Sequence, residues 1–291
     1  MSVNQGQDQA DRSFARWEWK LFQQNLFETG AFAGDALWVN RADAAQRAEM
    51  KLVQLDACRR LGIPFPETVV TTDAAAVDAL RRRCGRIVFK SFLVHQWEGR
   101  DDGRMHAVGV TLLDERSELP ADAIAVCPGI YQRYIEKSAD VRVTVMGEHL
   151  FALSLSKASG GGFVDWRTHS ADPALKAEAI VLPQAVEDRL RAFMRELGLV
   201  FGCIDLVIDT QGDYHFLEVN QAGQFLFVED MVPGYPVLRC MTAMLMTGRA
   251  DASPDLVEGV DMAGFRASDD FVRLGERINE RPPERPLFTL E

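Results

Sequence analysis

The chain has 291 residues, 47% of them hydrophobic and 26% charged, with a formal net charge of −11. That length buries a sizeable core in roughly one to three domains, and the acidic balance argues against a protein that coats the phosphate backbone of nucleic acid. Five cysteines (58, 84, 127, 203 and 240) are scattered without a CxxC pair, which points to neither a disulfide framework nor a zinc site.

The polar opening over 1–12 lacks the basic-then-apolar order of a signal peptide and reads as disordered. No apolar run reaches membrane-spanning length, so the expected location is the cytoplasm, with no membrane partner. Aromatics at Phe14, Trp17 and Phe22, with Leu21, predict an amphipathic helix over 13–27. Asn40 or Asp43 then caps a second helix over 44–61, with Met50, Leu52, Leu55, Cys58 and Leu61 inward, and the run 62–66 (GIPFP) stops it. A strand follows over 68–71, Asp73 caps a helix over 74–83, and 86–92 is the next strand. Residues 97–103 read as a loop and 108–113 as a strand. The strands 130–134, 140–146 and 149–156 complete a strand-rich middle, with Gly147-Glu148 as a hairpin turn. A helix over 183–197 ends at Gly198, and 237–246 is a late helix with an apolar face. Beyond Gly248 the charged, Pro-rich tail has no assigned element. The expected class is α+β with mainly antiparallel sheets.

Candidate chemistry centres on a hairpin. The runs 202–209 and 216–220 flank a turn at 210–213, and in a strand residues two apart share a face, so Glu218 and Asn220 point the same way. Asp205 on the paired strand reaches the same space, while Cys203 beside it reads as a core thiol. Three oxygen ligands suit Mg²⁺, which keeps few protein ligands when phosphates supply the rest. The ordinary alternative, a solvated hairpin face, stands level with it on spacing alone. Lys90, inside an apolar strand, must snorkel, pair or meet an anion. Arg142 repeats that pattern, with Asp140 on its own face as a possible salt-bridge partner. Arg167 follows the glycine-rich run 159–162, a potential phosphate cover or simply a hinge. Rossmann, P-loop and GxSxG fingerprints are absent, and His106, His149 and His215 have no metal-ligand spacing.

Taken in order, Lys90, the run 131–136 (YQRYIE), Asp140-Val141-Arg142-Val143, Asp165-Trp166-Arg167, Asp205 and the run 216–225 (FLEVNQAGQF) resemble the ATP-grasp superfamily, over residues 37–247. More narrowly they resemble the ATP-grasp ligases of graspetide, or microviridin-type, ribosomal peptide maturation. The resemblance implies an ATP-grasp fold of two α+β lobes clamping ATP. It places a shortened helical N-terminal region at 1–66, a central lobe at 67–139, a C-terminal lobe with the metal site at 140–249, and a tail at 250–291. It implies that Lys90 holds the α- and β-phosphates, with Lys51 as a further basic residue near the nucleotide. Gln132, Tyr134, Ile135 and Glu136 would line the adenosine pocket. Arg142 and Arg167 would act on the transferred phosphate, and Asp205, Glu218 and Asn220 would bind Mg²⁺. The implied reaction turns a carboxylate into an acyl-phosphate, which a hydroxyl or amine then displaces. A precursor peptide would be macrocyclised through side-chain ester or amide bonds, by an enzyme working as a homodimer. A ligase adding a free amine, as glutamate ligases do, is the alternative, and a non-catalytic ATP-binding partner protein is a second.

Overall fold

The computed structural model describes residues 9–28, 34, 36–92, 96–98, 105–107, 109–160, 162–164, 166 and 172–280. The chain opens with α1 (Gln9–Glu28), α2 (Ala42–Glu49) and α3 (Lys51–Leu61). Then follow β1 (Thr68–Thr71), α4 (Ala74–Cys84), β2 (Ile87–Lys90), the short pair β3 (Gln96–Glu98) and β4 (Met105–Ala107), β5 (Thr111–Leu113), α5 (Ala121–Val126) and β6 (Gly129–Arg133). The second half comprises β7 (Lys137–Met146), β8 (His149–Lys157), β9 (Leu175–Ile180), α6 (Gln184–Leu197), β10 (Phe201–Asp209) and β11 (Tyr214–Asn220). It ends with α7 (Phe227–Met231), α8 (Val237–Thr247), α9 (Met262–Arg266) and α10 (Asp269–Glu280). No helix among the described residues is long and apolar enough to cross a membrane.

Two antiparallel sheets organise the molecule, as the α+β reading expects. The smaller runs β1-β6-β2-β5 and the larger β11-β10-β7-β8-β9. The small sheet packs Ile87, Leu113 and Tyr131 against Val77 and Leu80 of α4 and Ile124 of α5. The large sheet is covered on both faces, so β7 is buried along nearly its whole length rather than alternating with solvent. Its odd residues Val141, Val143 and Val145 join Leu190, Phe193 and Leu197 of α6 and Ala57 and Cys58 of α3. On the opposite face, Met146, Leu153, Leu155, Phe201 and Cys203 pack under Cys240, Ala243 and Met244 of α8. The even residues Asp140 and Arg142 lie on that second face, where apolar packing gives way to a cavity.

Several boundaries differ from the sequence reading, each for a local reason. The helix expected over 44–61 is two helices, because Met50 adopts an extended conformation (φ −77°, ψ 104°) between them. That break shifts the phase of α3: Met50 and Leu52 are exposed, and Gln54 turns inward beside Ala57 and Cys58. Neither Asn40 nor Asp43 caps the helix. Arg41 is the N-cap residue, and the Asn40 side chain instead accepts from the N–H groups of Val200 and Phe201 at 2.7 and 2.8 Å. Asp73 does cap α4, accepting from Ala75 N at 2.9 Å. Strands β3 and β4 pair across the region expected to be a loop. The unassigned tail carries α9 and α10, and α5, β9 and α7 were unanticipated. Within the N-terminal region expected at 1–66, α2 and α3 contribute Ala44, Ala48, Ala57 and Cys58 to the core of the large sheet. The predicted aromatic helix is α1, and it leaves Phe14, Trp17 and Phe22 exposed.

Candidate active site

Cross-strand register, rather than sequence proximity, assembles the site. In the large sheet Glu218 of β11 sits opposite Asp205 of β10, and Asp205 in turn sits opposite Arg142 of β7. The three side chains form one row on one face. Asn220 lies two residues beyond Glu218 on the same face, so the expected convergence of Asp205, Glu218 and Asn220 is present. The Asn220 amide nitrogen reaches Asp205 Oδ2 at 3.4 Å and Glu218 Oε1 at 3.5 Å.

Each carboxylate of the row already holds a cation. Arg142 Nη1 spans both oxygens of Asp205 at 2.9 and 3.1 Å, and both side chains are only 5% exposed. Lys51 Nζ donates to Glu218 Oε2 at 2.7 Å from the first turn of α3. Asp140, on the same face, is the possible partner for Arg142 that the sequence offers. Asp140 instead pairs with Lys137 at 2.6 Å, in a pair equally buried at 6% exposure on each side. Arg142 is reserved for Asp205 because the two are direct cross-strand neighbours, whereas Lys137 curls back along its own strand to Asp140. Arg142 Nη2 donates to the carbonyl of Gln224 at 2.9 Å, and its Nε has no partner among the described residues. The loop after β11 closes on this guanidinium so tightly that a Cβ at Gly223 would lie 2.8 Å from Nη2 and 2.7 Å from Cys203 Cβ.

Above the row lies a cavity of about 510 Å³, within the usual range for small-molecule sites. Lys51, Lys90, Gln132, Tyr134, Ile135, Asp205, Glu218 and Asn220 all line it, so eight of the eleven expected residues converge. Lys137, which the sequence reading passed over, is a further wall residue, and Gly162 at the end of the glycine run seats on its stem. Two of the other three, Glu136 and Arg142, lie elsewhere. Glu136 is not in the wall; its exposed carboxylate pairs with Arg86, whose guanidinium also stacks on the Tyr134 ring. Arg142 sits beneath the floor, behind Asp205. Arg167 and Asp165 lie outside the described residues, although Trp166 between them is buried against Phe227.

The residues fit a nucleotide and a hard cation on the geometry of their own atoms. Gln132 is 2% exposed; its amide nitrogen donates to Thr68 Oγ1 at 2.9 Å, while its acyl oxygen has no partner among the described residues. A buried acceptor in a cavity wall calls for an N–H donor from a ligand, such as an aminopurine provides. No three His, Cys, Asp or Glu residues gather as a metal group among the described residues. A metal here would therefore rest on Asp205, Glu218, the Asn220 amide oxygen and oxygens brought by the substrate, the donor set Mg²⁺ prefers. Burial raises the Cys203 thiol and pushes Cys58 up to about 12 and Cys240 up to about 11, so these thiols are not thiolate nucleophiles at neutral pH.

No protein-family model matches the sequence, and no curated protein does. Solved structures do resemble it. A RiPP-associated ATP-grasp ligase from Chryseobacterium gregarium, in complex with ADP and a leader and core peptide, has a TM-score of 0.73 at 22% identity, over 84% of this chain and 72% of that one. The macrocyclase MdnC from Microcystis aeruginosa, bound to precursor peptide MdnA, gives 0.67 at 21% identity, over 86% and 75%. The ATP-grasp ligase PsnB, with a phosphomimetic variant of a minimal precursor, Mg and ADP, gives 0.60 at 22%, over 79% and 70%. With two antiparallel α+β lobes enclosing the cavity, this chain has the ATP-grasp fold.

Proposed function

We propose that the protein is an ATP-dependent, ADP-forming ligase that joins a carboxylate to a hydroxyl or amine within a ribosomally made precursor peptide. The observation that carries this reading is the composition of the cavity. Lys51, Lys90, Arg133 and Lys137 line it together with the carboxylates of Glu49, Asp140, Asp205 and Glu218 and the Asn220 amide, and Gln132 adds a buried acceptor with no partner among the described residues. Cations opposite oxygen ligands are what phosphoryl transfer needs, because its catalysis consists chiefly of positioning and charge neutralisation. The fold neighbours are ligases and macrocyclases crystallised with precursor peptides, and they support the peptide as substrate class.

In this reading Lys90 and Lys51 neutralise the phosphate chain, and Gln132 with Tyr134 and Ile135 receives the base. Asp205, Glu218 and Asn220 would hold Mg²⁺, which when bound offsets charge on the transferring phosphoryl group. Arg142 holds the Asp205 carboxylate in place from beneath the floor. The substrate carboxylate oxygen attacks the γ-phosphorus and ADP leaves. The hydroxyl or amine then attacks the acyl carbon, phosphate leaves, and the attacking group releases its proton. No covalent enzyme intermediate is required, in keeping with the buried thiols. The bond formed is an ester or an amide between side chains of the peptide, and the active form is a homodimer.

The test is incubation with ATP, Mg²⁺ and a Thr/Ser- and Asp/Glu-rich precursor peptide encoded beside the gene, read by mass spectrometry. The expected product has lost one water per crosslink, with stoichiometric ADP. A gain of an amino-acid residue would replace this reading with a free-amine ligase, and absence of ADP with every acceptor would refute ligation.

A further inference from the structure

Strand β11 is an edge strand, so among the described residues the outward backbone groups of its residues have no neighbouring strand to pair with. At the residue between Glu218 and Asn220 that need is met by one side chain. Val219 N donates to Gln54 Oε1 at 3.0 Å, and Gln54 Nε2 donates back to Val219 O at 3.0 Å. The second Nε2 hydrogen goes to Ala48 O at 2.6 Å, in the last turn of α2. Gln54 is 1% exposed, and the carbonyls facing one end of its amide and the N–H facing the other fix which end is which. The amide thus imitates one residue of a missing sixth strand. Further along the same edge, Phe216 N donates to Pro64 O at 2.7 Å.

We propose that Gln54 is a positioning residue for the carboxylate site, holding the Val219 peptide so that Glu218 and Asn220 project into the cavity at a fixed separation. The inference rests on the nucleotide-and-metal reading above. Three features support it beyond ordinary packing. The bonded residue is the one between the two ligand candidates, and its own side chain is anchored in the opposite face, 2% exposed. Lys51, one turn earlier on α3, meets the Glu218 carboxylate, so one helix grips both the backbone and the side chain of the site. Finally, a two-way grip on N–H and C=O needs an amide: Met has neither group, and an ionised Glu keeps the acceptor but loses the donor.

The experiment measures Mn²⁺ binding in the presence of ADP, by electron paramagnetic resonance, for the wild-type chain, Gln54→Met and Gln54→Glu. ADP binding without metal is measured in parallel. Residues that hold metal ligands in place typically contribute about 10- to 100-fold in metal affinity. The expected result is a loss of about tenfold or more in Mn²⁺ affinity for both variants, with metal-free ADP binding unchanged. A folded variant that keeps wild-type Mn²⁺ affinity, whatever its melting temperature, overturns the proposal and leaves the functional reading intact. A wild-type chain that binds no Mn²⁺ with ADP overturns the functional reading itself. Should neither variant fold, the side-chain amide resonances of Gln54 are followed in the wild-type chain as Mg²⁺ and ADP are added. A shift supports positioning, and invariance refutes it.

Discussion

Lys51 and Glu218 meet at 2.7 Å with both side chains about three-quarters buried, so the ammonium already holds one oxygen of a carboxylate proposed to bind metal. A hard cation must displace it or share the oxygen, and like charges at that range repel. Lys51→Met therefore has opposite effects on two ligands. Mn²⁺ affinity without nucleotide rises several-fold, while ADP affinity falls, and titration of each ligand alone checks both signs. A simple electrostatic wall residue would weaken only the nucleotide. At this scale the sequence was informative where spacing encodes geometry: Glu218 and Asn220 share a face because strands have period two. It was silent on Gln54 and Lys137, since a lone glutamine in a helix and a lone lysine at a strand start carry no pattern. It offered only Asp140 as a partner for Arg142, because register across strands, which brings Asp205 alongside, cannot be counted along one strand.

Among the elements, the β10–β11 hairpin was read most fully. Its turn is built by Asp209, whose Oδ1 accepts from Gln211 N and Asp213 N, each at 2.9 Å, while Oδ2 meets His215 Nε2 at the same distance. The His215 hydrogen bond, and then the two backbone N–H groups, hold the Asp209 carboxyl below the usual carboxylate range. A depressed carboxylate contributes stability that is present above its unfolded-state pKa and is lost as pH falls through the folded value. Wild type is therefore more stable than Asp209→Asn at neutral pH, and the gap closes below about pH 4. Urea denaturation of the two proteins across pH 2 to 7 checks this; a gap independent of pH would contradict it. The elements missed by sequence have physical reasons too. Helix α5 spans only Ala121–Val126, too short for periodicity to declare itself, and β9 is an edge strand with little buried surface. The break at Met50 lacks glycine or proline, so nothing local marks it.

For the molecule as a whole, the cavity lies where the small sheet, through Lys90 and Gln132, faces the large one, through Asp205 and Glu218. A ligand that bridges both sheets binds the folded chain and not the unfolded one. ADP with Mg²⁺ at about 100 times its dissociation constant should stabilise the protein by roughly 2.7 kcal/mol. The thermal midpoint rises accordingly, and excess chelator removes the metal-dependent part; an unchanged midpoint would place the ligand elsewhere.

The row Glu218–Asp205–Arg142 has a kinetic consequence. Its members come from three strands, and β7 and β10 are separated in the chain by β8, β9 and α6. Pairing β10 with β7 closes a long loop, a slow event compared with forming the local β7–β8 or β10–β11 hairpins. A partly folded chain thus holds Arg142 in one hairpin and its counter-ion in another, with neither charge compensated. Ligand-binding competence should consequently appear late in refolding, after most secondary structure has formed, and so report on the docking of two independently formed hairpins.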